Sequence, residues 1–69
     1  MSEKITIETE FITLGQAIKE AGIVGTGGQA KMYLKDNMVQ VNGEDENRRG
    51  RKLYSGDVLV IENTTFEIA

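Results

Sequence analysis

The chain contains neither cysteine nor histidine. Disulfides are therefore excluded, and so is a metal site built on thiolate or imidazole ligands. Nucleophilic catalysis has little to draw on, because the serines are confined to Ser2, near the start, and Ser55, in a tight turn. Carboxylates remain, but Asp57 reads as a turn former and Glu44-Asp45-Glu46 as a run too solvated for strong pKa tuning. An enzyme is not expected. Met1-Ser2-Glu3-Lys4 opens without an apolar leader, and no later run is long enough to span a bilayer, so the expected location is cytoplasmic.

What is present suits one small folded domain over residues 1–69, with 39% hydrophobic and 28% charged residues. That length lies near the lower limit for a core held without a staple. Most apolar positions must then serve packing, so no cofactor and no small-molecule substrate are expected, and the chain is expected to be a monomer. The net charge of −3, taken whole, disfavours a polyanionic partner. Its distribution does not. Residues 26–52 carry Lys31, Lys35, Arg48, Arg49, Arg51 and Lys52 against Asp36, Glu44, Asp45 and Glu46, a local balance of +2. The remainder carries Lys4 and Lys19 against seven carboxylates, a balance of −5. Such segregation can give an acidic body one positive face.

Residues 4–8 alternate and predict a short strand, with Ile5 and Ile7 on one side. Thr13-Leu14-Gly15-Gln16 fits a capping box, and Leu14, Ala17, Ile18 and Ala21 follow as one apolar stripe, predicting a helix over about residues 14–21. Gly22 stands where a left-handed residue ends a helix, and Ile23 can fold back onto the last turn. Thr26-Gly27-Gly28-Gln29 reads as a second capping box, with Ala30, Tyr33 and Leu34 as its stripe and Asn37 as a left-handed stop. About four residues separate the helices, so they must pack directly, and Ala17, Ala21 and Ala30 are small enough to allow it. The period then becomes two. Val39-Gln40-Val41 reads as a strand, Asn42-Gly43 as a turn, 44–52 as a solvated loop and Ser55-Gly56-Asp57 as a turn. Val58–Ile61 is a strand, Asn63-Thr64-Thr65 a turn, and Phe66 and Ile68 belong to a last strand. The expected class is α+β, with two packed N-terminal helices against a small, mainly antiparallel sheet.

The order of two helices, Val39-Gln40-Val41-Asn42-Gly43-Glu44, a basic loop and Leu53-Tyr54-Ser55-Gly56-Asp57-Val58 resembles the S-four domain, the alpha-L RNA-binding motif. The likeness covers residues 11–62. Within that family, Gly27-Gly28-Gln29-Ala30-Lys31 and the run from Glu46 to Leu53 are similar to the stand-alone YaaA-like and YbcJ-like proteins. Many members open the second helix with serine and arginine; here Thr26 keeps the cap and Gly27 carries no charge. The resemblance implies binding of structured RNA without catalysis, with ribosomal RNA, during subunit assembly or maturation, as the target.

Several constellations bear on that reading. Arg48, Arg49, Arg51 and Lys52 place four cations within five residues, as phosphate neutralisation requires. The residues alone also allow a solvated loop whose charge the neighbouring acids cancel; the resemblance favours RNA contact. Lys31 and Lys35 project from one side of the second helix. Gly27 and Gly28 leave its first turn open for a phosphate, with Gln29 as an adjacent polar contact. Together these residues are expected to form one concave positive surface. About four neutralised phosphates would give a log K against log salt slope of roughly −3 to −4. Tyr54 could stack on a base, but burial of its ring is the expected outcome, as for Tyr33, Phe11 and Phe66.

Two phosphate-binding patterns fail. Gly25 to Ala30 matches G-x-G-x-x-A but follows a helix rather than a strand, and Gly28 stands where the P-loop spacing from Gly22 requires lysine. Two other functions compete. A ubiquitin-like sulfur carrier needs a C-terminal Gly-Gly, whereas this sequence ends Phe66-Glu67-Ile68-Ala69. An adaptor docking its basic loop on an acidic protein would differ from an RNA binder in salt dependence and ligand.

Overall fold

The computed structural model describes residues 2–69; Met1, part of the stretch read for a leader, lies outside them. The elements run β1 (Ser2–Ile5), β2 (Phe11–Thr13), α1 (Leu14–Glu20), α2 (Gly27–Asp36), β3 (Val39–Val41), β4 (Glu44–Glu46), β5 (Lys52–Tyr54), β6 (Val58–Ile61) and β7 (Thr64–Ile68). The expected class is corrected here. Strands come first, the helices are not N-terminal, and seven strands in two sheets make the described residues mainly β.

The strands missed in the sequence have two causes. β2 and β5 are three-residue segments that pair with each other, Phe11 opposite Tyr54 and Thr13 opposite Lys52, across a long stretch of chain. Unlike Val39-Gln40-Val41, neither segment alternates apolar with polar residues beside its partner and a tight turn. β4 is Glu-Asp-Glu, and its inward residue is the charged Glu46, so the loop expected over 44–52 begins with a strand.

The five-stranded sheet has the order β1-β7-β6-β3-β4, with β1 parallel to β7 and the other pairs antiparallel. Its hairpins turn on residues that accept positive φ: Asn42 and Gly43 (52° and 84°), and Glu62 and Asn63 (49° and 68°). The second turn thus precedes Thr64, which already belongs to β7. Asn42 also ties its hairpin to β6, its Oδ1 accepting from Val58 N–H at 2.9 Å.

α1 is specified at both ends. Thr13 Oγ1 accepts from Gln16 N–H, while Gln16 Oε1 accepts from Thr13 N–H. At the other end Gly22 (φ 81°) donates to Lys19 O and Ile23 to Ile18 O, which is the Schellman pairing. α2 is capped differently from expectation. Thr26 accepts from Gln29 N–H, but Gln29 Oε1 reaches one residue further back, to Gly25 N–H at 2.7 Å. Asn37 is extended rather than left-handed, its amide side chain donating to Tyr33 O. Leu14, Ala17 and Ile18 of α1 and Ala30 and Leu34 of α2 are buried, and the core continues into Val39, Val41, Leu53, Leu59, Ile61, Phe66 and Ile68. No helix among the described residues is long and apolar enough to cross a membrane.

Candidate nucleic-acid interface

The basic loop is organised by an acid. Glu46 ends β4 with its side chain on the core side, 7% exposed, and its carboxylate accepts five hydrogen bonds. Two come from the Asn47 and Arg48 amides at 3.2 Å. Two come from the Arg48 guanidinium, Nε and Nη2 at 3.0 Å each, in a planar fork. The fifth comes from Arg51 Nη1 at 2.8 Å. The side-chain hydrogen bonds from Arg48 and then Arg51 hold this carboxyl far below the usual carboxylate range, against the opposing effect of burial. It is therefore ionised at any physiological pH. Two of the loop's three cations are consequently spoken for, although Arg48 remains 72% exposed.

The same loop caps α1. Leu14 N–H donates to Arg51 O at 2.7 Å and Gly15 N–H to Arg49 O at 2.9 Å, satisfying first-turn amides that have no acceptor within a helix. Gly15 is required by what lies over it. A Cβ there would sit 2.5 Å from Arg49 Cγ, so the arginine stem crosses the helix where a side chain would stand. From that track Arg49 Nη1 donates to Gly27 O at 3.3 Å and joins the loop to the start of α2. Between the three lies a groove of about 470 Å³, lined by Thr13, Gly15, Gln16, Lys19, Gly27, Arg49 and Gly50. Arg49 has no carboxylate partner in the described residues.

α2 extends this surface. Gly27, Lys31 and Lys35 recur every fourth residue and so share one side of the helix, and all three are exposed. Since a helical side chain leans toward the helix N-terminus, Lys31 leans toward the groove that Gly27 lines. Gly28 is exposed in the first turn.

The family model described as S4 domain matches residues 5–69. The chain belongs to the S4 domain family. It is also 55% identical over 62 residues to "Probable ribosome maturation protein RlbA" of Bacillus subtilis (strain 168), covering 90% of this chain and 87% of that protein.

Within this S4 domain the residues singled out in the sequence divide into groups. Arg49 and Gly27 meet at the groove, and Lys31 and Lys35 run from it along α2. Arg48 and Arg51 turn back onto Glu46. Gln29 is occupied by Gly25, and Gly28 offers backbone only. Lys52 lies apart on β5, its Nζ 4.9 Å from the centre of the Phe11 ring. Tyr54 departs from expectation: the residue is 44% exposed, its ring leaning on Phe11 rather than entering the core. Tyr33 and Phe11 are only partly buried; Phe66 is in the core.

Sequence reasoning missed Lys19 and Gly15. Lys19 follows the apolar stripe of α1 and carries no local sign of its role; the groove includes it because the loop docks beside it. Gly15 did carry a signal. A glycine inside a helix costs about 1 kcal/mol relative to alanine, which asks for a close contact to explain it.

Proposed function

We propose that this protein binds folded ribosomal RNA without catalysing a reaction, and that it acts in ribosome maturation. The observation that carries this reading is the joining of the 47–51 loop to both helix starts through Arg49, which forms one groove holding Arg49 and Lys19 at the start of the helix that carries Lys31 and Lys35. Membership of the S4 domain family and the name of the Bacillus relative support it. Lys19 and Arg49 flank the groove, and Lys31 and Lys35 face a phosphate backbone running along α2. Folded RNA suits this arrangement, because charges on two helices and a loop fit phosphates held in a fixed three-dimensional path. Sequence-specific base readout is not required.

The test is a binding titration with ribosomal RNA fragments at several salt concentrations, beside fractionation of cell lysate. With Arg48 and Arg51 paired to Glu46, the free cations at the groove and along α2 are Arg49, Lys19, Lys31 and Lys35. Four phosphates then give a slope of roughly −3 to −4. Arg49→Glu weakens binding strongly and lowers the slope. A flat salt response, or a protein wholly separate from ribosomal particles, would refute the proposal; salt-sensitive capture of an acidic protein instead would favour the adaptor.

A further inference from the structure

The small β2–β5 ribbon presents two unlike faces. Ile12 and Leu53 oppose each other on the side that packs on the core, where Leu53 is fully buried. Alternation places Phe11, Tyr54, Thr13 and Lys52 on the other side. Phe11 and Tyr54 are directly opposite, with ring centroids 5.8 Å apart and planes tilted by 49°, so one ring braces the other. Lys52 lies over the Phe11 ring in cation–π geometry. A large ring braced in this way, on a residue 44% exposed, has surface to offer and little freedom left to lose.

Position gives that surface its ligand. Thr13, the cross-strand partner of Lys52, also lines the groove that holds Arg49. The ribbon face is therefore continuous with the cationic groove. Asp57, the acid nearest Tyr54 along the chain, is held in place, its Oδ2 accepting from Tyr54 N–H and its Oδ1 from the Asn42 side chain, while Glu10 stands exposed just before Phe11. The surface thus combines a π-face, an adjacent ammonium and a neighbouring phosphate track.

We infer that Tyr54 is a stacking platform for an unpaired nucleobase of the bound RNA, whose phosphate pairs with Lys52 while the flanking helix occupies the groove. The inference rests on the RNA-binding reading above and sharpens it: the target is a junction or loop with at least one splayed base, not a continuous duplex.

Tyrosine emission reads this directly, because the chain has no tryptophan and its only tyrosines are Tyr33 and Tyr54. In a Tyr33→Phe protein the signal belongs to Tyr54 alone. The probes are an RNA hairpin with an unpaired loop, an oligouridylate strand and a blunt RNA duplex. The hairpin and the single strand quench the emission; the duplex does not. Tyr54→Ala and Tyr54→Leu each weaken hairpin binding about tenfold without changing the salt slope or duplex affinity, and Tyr54→Phe binds as the parent does. Tyr54→Leu keeps an apolar contact with Phe11, so its loss of binding cannot be assigned to unfolding of the ribbon. Equal hairpin affinity in all three variants, without quenching, overturns the platform while Arg49→Glu still reports RNA binding. Failure of the parent protein to bind any probe removes the RNA reading itself, and the platform with it.

Discussion

The loop after β4 and the exposed side of α2 are both rich in cations, yet they hold their charge in opposite ways. In the loop, one buried carboxylate gathers Arg48 and Arg51. Along α2, Lys31 and Lys35 stand at helical spacing with no ion-pair partner in the described residues. The loop's charge is spent on its own shape, and α2's remains available to a ligand. Arg49 lies between these regimes: its backbone and stem are fixed by α1, while its guanidinium reaches the groove. A count of basic residues therefore overstates the free charge of the loop and understates its rigidity.

The largest effect separating the two regions is expected from Glu46→Ala. It makes the protein more positive, so simple attraction predicts tighter RNA binding. Loss of the clamp predicts the reverse, with stability falling by about 2 kcal/mol as two arginines and two amides lose their acceptor. For a domain of this size that lowers Tm by roughly 8–16 °C, measurable by circular dichroism. Tighter binding by this variant would erase the distinction between shaping and contacting charge.

Arg49→Ala should weaken RNA binding about tenfold, whereas Arg48→Ala should change it less than threefold, read in parallel titrations. Equal losses would mean that the clamp leaves Arg48 as available as its neighbour. Gly15→Ala comes next. Alanine is ordinarily favoured over glycine in a helix by about 1 kcal/mol, but here its Cβ would meet Arg49 Cγ at 2.5 Å. The stem must move, so the helix gain is cancelled and RNA affinity falls several-fold; a stabilised variant with parental affinity would show that Arg49 has an equivalent alternative path.

The smallest effect is in pH. The folded protein lowers the Glu46 pKa from the ordinary 4.5, so the clamp's contribution is fully present above about pH 4.5 and is lost as pH falls toward the depressed folded value. From pH 7 to 5 this group should leave Tm unchanged. Below that range Tm should fall, and Glu46→Gln should flatten its share of the acid limb.

Local grammar made much of this fold readable. The Thr13–Gln16 box, the Gly22 stop and the Asn42-Gly43 turn are decided by neighbours within a few residues, and each stands where the residues indicate. Long-range pairing did not show. Nothing near Phe11 or Lys52 announces that they join one ribbon, and β4 conceals itself because its inward residue is a carboxylate serving arginines further along the chain. The site was legible as composition and not as geometry. The residue types of Arg48, Arg49 and Arg51 are equivalent in the sequence; only the position of Glu46 separates them.

The parallel pairing of β1 with β7 joins the first and last strands of the fold. Ser2 to Ile5 find their partners in Thr65 to Ile68, and the ladder continues through Ile7 N–H to Ala69 O. The paired residues lie more than sixty positions apart, so this edge of the sheet closes through long-range pairing. Without β1 that side of β7 has a bare edge, so removing residues 2–5 would leave it open to a strand from another molecule.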